Sequence, residues 1–228
     1  PFDTHAIEAA MQLKEGGELA VDEVVAVTMG PGSAQRALQK AVALGADRSV
    51  HLSDDALVGS DVCATGLALA KVLESENPDV VLLGQQSDDG ECYTIGAVVA
   101  DHLKMPSLTQ VVKMDVEDGK LRCERQAEYG YDTVSLSLPA VIAVGDAINE
   151  PRYPSLKAIM GAKKKPLDTK SAGDVGIDAG QVGEAGSQTT VVALNPPPAK
   201  EAGEIIEDED TNETVEKIVA WLDERKLI

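Results

Sequence analysis

The sequence predicts an α/β fold: a doubly wound, mostly parallel sheet with an antiparallel extension and a C-terminal arm. Three observations carry that expectation. Short apolar runs rich in Val, Ile and Leu alternate with helical periodicity, at intervals of about 25–30 residues, through the first half of the chain. A two-residue alternation replaces them between Thr109 and Leu138. Hydrophobic residues make up 43% of the 228 residues but aromatics only 3%, which suits small side chains between closely packed layers.

The elements follow in order. From Asp3 to Lys14, residues Ala6, Ile7, Ala10, Met11 and Leu13 recur at helical spacing, and Gly16-Gly17 ends the pattern. Glu23–Thr28 is a β-branched strand running into Met29-Gly30-Pro31-Gly32. Ser33 is expected to cap a helix reaching Leu44 and closed by Gly45. Ser49–Leu52 reads as a strand, Asp61–Glu74 as a covered helix and Asp79–Leu83 (DVVLL) as a buried strand. A helix over Cys92–Leu103 stops before Pro106. Thr109–Val116, Lys120–Gln126 and Thr133–Leu138 form antiparallel strands, with Glu117-Asp118-Gly119 as a hairpin turn, and Pro139–Val144 returns to a buried strand. Ser155–Ala162 is helical until Lys163-Lys164-Lys165-Pro166. Residues 171–188 are Gly-, Ala- and Asp-rich with little to bury, and Thr189–Leu194 is a last strand. The expected boundary divides a domain over 1–194 from an arm over 195–228. That arm is a stiff Asn195-Pro196-Pro197-Pro198 spacer and an amphipathic helix, Thr211–Lys226, with Val215, Ile218, Val219 and Leu222 on one stripe. Such a helix docks on this domain or on a partner.

Composition narrows the function. Twenty Lys+Arg against 39 Asp+Glu leave a net charge of −19, the wrong sign for a nucleic-acid binder. The charge suits attraction to basic protein surfaces, or a salt-rich habitat. Cys63, Cys92 and Cys123 form no C-x-x-C pair, so neither a disulfide framework nor a zinc site is expected; they read as reduced, mostly buried thiols. No apolar run approaches the roughly 18 residues a membrane span needs. His5, His51 and His102 are scattered and read as surface or capping residues. With no G-x-S-x-G, H-E-x-x-H or Walker A pattern, no catalytic residue and no metal ligand is assigned.

One segment stands apart. Gly84-Gln85-Gln86-Ser87-Asp88-Asp89-Gly90-Glu91-Cys92-Tyr93-Thr94 joins a buried strand to a helix, where doubly wound sheets bind ligands beyond the carboxyl ends of their strands. The first-turn amides of that helix suit a phosphate, and Asp or Gln suits ribose hydroxyls. Met29-Gly30-Pro31-Gly32 ends an earlier strand and is expected on the same rim. Asp88, Asp89 and Glu91 favour a monophosphate over a polyphosphate. The alternative is an ordinary surface loop capped by Asp89. Lys163-Lys164-Lys165 is either a solvated helix end or, with the stretch after it, the base of a protruding contact loop. In that loop Val175 and Ile177 are expected as exposed anchors flanked by Asp174 and Asp178.

With these segments in hand, the sequence resembles the β subunit of electron-transfer flavoproteins. The matching segments are Pro1-Phe2-Asp3 with AIEAAMQLKE, VTMGPGSAQRALQKAVALGADRSVHL, PDVVLLGQQSDDGE, and LPAVIAVGDAINEPRYPSLKAIMGAKKK followed by GDVGID. The resemblance implies an adenine-nucleotide-binding, Rossmann-like fold, with a first strand preceding Pro1. It also implies a heterodimer with an α subunit that holds most of an FAD, and an AMP buried in this subunit. The AMP site would use Pro1, Phe2, Asp3, Met29 and the loop from Gly84 through Ile95 and Gly96, with phosphate on the backbone around Tyr93, Thr94 and Ile95 and ribose near Asp89. Phe2 would approach the flavin edge. Gly173, Asp174, Val175, Gly176, Ile177 and Asp178 would form the loop that meets dehydrogenases, with Val175 in the place of an inserted Leu. Electrons would pass from acyl-CoA or related dehydrogenases through FAD to a quinone oxidoreductase. The setting implied is cytoplasmic, or the mitochondrial matrix in a eukaryote. Ile95 stands where the family favours Thr, and Ser87-Asp88 where it favours Ala-Ile. A relative holding a second FAD in place of AMP, and a stand-alone nucleotide sensor resembling universal stress proteins, are the alternatives.

Overall fold

The structure, a computed structural model, describes residues 2–199, 203, 205 and 210–228. The first compact unit runs to Thr190 and the second begins at Val191, four residues before the expected boundary. The α/β class is the one the sequence predicts. Its strands, however, fall into two ladders. Strands β1 (Val25–Met29), β2 (Arg48–Leu52) and β8 (Leu167–Lys170) form a parallel sheet in that order. The second sheet has the order β3-β7-β4-β5-β6, with β3 (Val80–Gly84), β7 (Ala140–Val144) and β4 (Ser107–Glu117) parallel. Strands β5 (Lys120–Ala127) and β6 (Gly130–Leu136) add the antiparallel extension.

Helix α1 (Phe2–Gly16) packs on β3 and β7, and α2 (Gln35–Leu44) on β1 and β2. Helices α3 (Val62–Glu76) and α4 (Ile95–Leu103) pack on one another, and α5 (Leu156–Ala162) packs on α2. Strand β7, held between β3 and β4, is buried along all five of its residues. Leu121, Cys123, Leu136, Ile142 and Val144 form the core of the larger sheet, while Val50, Leu52, Ala68, Val72, Ile177 and Val182 form that of the smaller. The hairpin between β4 and β5 turns on Asp118 and Gly119, both at positive φ (52° and 72°), the type I′ geometry that matches strand twist.

Several expectations are corrected. Ser33 makes no cap: residues 32–34 are a 3-10 turn, and α2 starts at Gln35 without a side-chain cap. The fourth helix begins at Ile95, not Cys92, because Glu91 and Tyr93 are held at positive φ. Thr189–Leu194 pairs with no strand, and Val191, Val192 and Leu194 are exposed. Leu167–Lys170 does pair, against β2. The stretch 171–188 does have residues to bury, Ala172, Ile177, Val182 and Gly183, and it includes a single helical turn, α6 (Gly183–Gly186). His51 is fully buried rather than at the surface, and of the three thiols only Cys123 is buried.

In the second unit, residues 191–199 carry no regular structure, and α7 (Thr211–Glu224) is capped by Asp210, which accepts from the Asn212 amide at 2.8 Å. Val215, Ile218 and Val219 are exposed along that helix, and Arg225 stacks 4.1 Å from the Trp221 ring centroid.

Candidate nucleotide-binding site

Register places the candidate loop at one end of the larger sheet. Gly84 pairs with Val144, Val144 with Val111, Val111 with Arg125, and Arg125 with Asp132, so a single row crosses all five strands. Gly84 is the last residue of β3, and there the start of α1 closes on it. Asp3 Oδ1 accepts the Gly84 amide proton at 3.1 Å. A Cβ at Gly84 would lie 2.6 Å from that of Phe2 and 2.8 Å from the Asp3 amide nitrogen, so only glycine allows this approach. Phe2, Asp3 and Gly84, far apart in sequence, are thus brought together. Pro1 lies outside the described residues.

Gln85 continues the strand by donating its amide to Val144 O at 3.0 Å. Gln86 is half-buried, and its Oε1 is buried without accepting any hydrogen bond, a costly state unless a donor arrives. Ser87 to Thr94 are exposed. The turn is internally braced: Ser87 Oγ accepts from Gly90 N at 3.2 Å, Ser87 O from Glu91 N at 3.1 Å, and the Cys92 thiol donates to Gly90 O at 3.1 Å. The Ser87 hydroxyl, then the Asp89 and Gly90 amides, hold the Asp89 carboxyl below its ordinary pKa. It therefore caps its own turn, the role the surface-loop alternative gave it.

Glu91 (φ 43°) and Tyr93 (φ 55°) sit in the left-handed region, a strain that clusters at ligand clamps. They lead into α4, whose N-cap Thr94 makes no side-chain cap bond. Helices α3, α5 and α7 are capped by Asp61, Ser155 and Asp210, whereas α2 and α4, which follow the two glycine-bearing loops, are not. Gly96 is buried against Leu83 and Ala143. Met29, expected beside this loop through adjacency in one sheet, instead closes β1 in the other ladder, half-buried against the core of the smaller sheet. Two clefts, of about 280 and 340 Å³, lie elsewhere, one between α1 and β4 and one beside Gln110, Arg125 and Tyr129. Tyr129 donates to Asp132 at 2.9 Å, and the Arg125 guanidinium pairs with the same carboxylate.

The contact loop is tied down. Asp54 Oδ2 accepts from Ala172 N at 3.0 Å, and Ser171 N donates to Asp174 at 2.8 Å. Asp61 Oδ2 receives Gln188 N and Thr189 N at 2.8 and 3.0 Å. Gly173, Asp174, Gly176 and Asp178 are exposed and Val175 is half-buried. Ile177, at 6% exposure, is a core residue and not an exposed anchor: its stretch is tethered at either end to Asp54 and Asp61, which turns it inward. Lys165 is also committed, donating to Ala46 O at 2.7 Å.

Among the described residues no cluster of His, Cys, Asp and Glu could hold a metal ion, and no helix is long and apolar enough to cross a membrane. The family described as electron transfer flavoprotein domain matches residues 1–175. Electron transfer flavoprotein subunit beta of Mycobacterium tuberculosis is 42% identical over 230 residues, covering 100% of this chain and 86% of that protein. The Bos taurus protein of the same name is 37% identical over 226 residues, 98% of this chain and 83% of its own length. The Caffeyl-CoA reductase-Etf complex subunit CarD of Acetobacterium woodii is 36% identical over 229 residues, 100% of this chain and 87% of that protein.

Proposed function

This chain belongs to the electron transfer flavoprotein family, and from that membership we propose that it is the β subunit of a heterodimer in which FAD lies at the interface and AMP is bound here. The observation that carries the nucleotide assignment is the orphaned Gln86 Oε1 beside an uncapped α4, in a loop braced by its own turn and closed from below by Phe2 and Asp3. An adenine amino group supplies the donor Gln86 lacks, and the amides that open α4 suit one phosphate group. Asp89, held anionic, suits ribose hydroxyls. The exposure of Ser87–Thr94 fits a half-site whose second wall comes from the α subunit.

FAD would supply the electron-accepting and electron-donating chemistry. This chain's part is to shape one wall with Phe2, lock the nucleotide into the contact, and present residues 173–178 to donor dehydrogenases of the acyl-CoA or related classes. Electrons would leave toward a quinone oxidoreductase. The apolar stripe of α7 offers a surface for the α subunit.

The test is nucleotide stoichiometry. Co-purified with its α subunit and denatured, the complex is expected to release one FAD and one AMP. Two FAD without AMP would replace this reading with a flavin-bifurcating one, which the likeness to CarD, a subunit of a caffeyl-CoA reductase complex, favours as the second reading. A flavin-free homodimer that binds AMP would mark a sensor.

A further inference from the structure

We infer that His51 is a positioning residue for the nucleotide rim: through its imidazole it fixes the Met29–Gly32 loop in the shape that receives the ligand. The inference rests on the AMP reading above and goes beyond it by naming a residue that touches no ligand. His51 lies in the middle of β2, paired with Thr28 on one side and Thr169 on the other, and is fully buried. Its neighbours Val50 and Leu52 belong to the core shared with Ala68 and Val72 of α3. Strand alternation sends His51 to the opposite face, where α2 packs.

Two consecutive residues of β2 hold Gly30. The Gly30 amide donates to Leu52 O at 3.0 Å, and the Gly30 carbonyl lies 2.9 Å from His51 Nε2. A carbonyl can only accept, so Nε2 carries the proton and Nδ1 is the acceptor. The group facing Nδ1 is the Gln35 amide nitrogen, a donor at 3.5 Å, on the first residue of α2. Both ring nitrogens therefore touch the segment that joins β1 to α2, one at each end of the 3-10 turn over Gly32–Ala34. An aliphatic side chain here would leave the Gly30 carbonyl without its partner and free the loop to swing.

The test uses the heterodimer stripped of nucleotide, with AMP as the probe. His51→Leu is expected to raise the AMP dissociation constant about tenfold, the loss of one such hydrogen bond, and to speed amide exchange across residues 30–35. His51→Gln, whose amide can donate from the same distance, should recover binding to within about threefold. Unchanged affinity in His51→Leu, or equal losses in both variants that track their melting temperatures, overturns the inference and leaves the AMP reading standing. A wild-type complex that binds no AMP overturns both. Should His51→Leu fail to fold, His51→Asn, whose amide stops short of Gly30, replaces it with the same expected loss.

Discussion

Arg152 closes a bidentate ion pair on Glu8 across 144 positions of sequence, Nε lying 2.6 Å from Oε2 and Nη2 2.9 Å from Oε1. The same guanidinium reaches Glu15 at 2.6 Å, and the Arg152 amide also donates to Glu8. Glu8 is buried in α1, so this fork is what makes its charge tolerable. It fastens the segment after β7 to the helix whose first residues close on Gly84 of the candidate loop. His5, bonded to Asn149 O at 3.0 Å, adds a second fastening. Arg152→Ala strands the Glu8 carboxylate and should cost about 2 kcal/mol, part of the cost of breaking a fully buried pair. Arg152→Lys, unable to fork, should recover only a fraction of it. Urea denaturation of the purified protein measures both; equal stability of all three proteins would remove the role.

Acid should unfold the protein through the same contacts. Hydrogen bonds from Arg152 hold Glu8 and Glu15 below the ordinary carboxylate value of 4.5. Burial works against the Glu76 charge, yet Lys170 and Arg48 outweigh it and its pKa is also lowered. Asp47 follows the same pattern, with Lys14 and the Val24 amide prevailing over burial. Folded values below unfolded ones mean stability is fully present above the unfolded pKa and is lost as pH falls through the folded one. Melting temperature is therefore expected to hold from pH 7 to about 5 and to drop below about 4.5. Arg152→Ala should shed part of that slope; a flat profile down to pH 3 would contradict the assignment.

Sequence revealed what local pattern encodes. Asp79–Leu83 announced a strand, though at the end of its sheet β3 is half-buried from Val80 to Leu83 instead of fully covered, and Asp118-Gly119 announced its turn, because each signal sits in the residues themselves. Leu167–Lys170 gave no signal: its first three residues are exposed, and it is a strand because the edge of β2 bonds Pro166 O and Lys170 O through Ser49 and Ser53. Thr189–Leu194 had β-branched residues but no edge to pair with. Ile177 and Val182, isolated apolar residues among glycines, have no periodicity, so their burial follows from the Asp54 and Asp61 tethers. In the candidate site the loop chemistry was legible. The closure of Asp3 on Gly84, and the imidazole beneath Gly30, are non-local and leave no mark in either segment.

Gln86 should respond with opposite signs in the empty and loaded protein. Its buried Oε1 has no donor, so Gln86→Leu removes an unsatisfied acceptor. Without nucleotide that variant should be as stable as wild type or more so. With AMP it should bind roughly tenfold more weakly, and the wild type's preference for AMP over IMP, which has a carbonyl in place of the amino group, should vanish. Equilibrium dialysis against both nucleotides measures this, and an unchanged preference would place the adenine edge elsewhere.

The loop at 173–178 separates two roles in adjacent apolar residues. Ile177 is buried against Val50, Leu52 and Val182, so Ile177→Ala should cost about 2–3 kcal/mol, as core truncations do. Any loss of electron transfer in that variant should follow its loss of folded protein. Val175 is half-buried between exposed Asp174 and Gly176, leaving part of its side chain free for a partner. Val175→Asp should slow reduction by a dehydrogenase severalfold while flavin content stays constant, because desolvating a carboxylate at an apolar contact is unfavourable. Val175→Ala, which truncates without charge, should fall between the two. Reduction rates measured at matched flavin content decide the matter: if Val175→Asp transfers electrons as fast as wild type, the dehydrogenase meets a different surface.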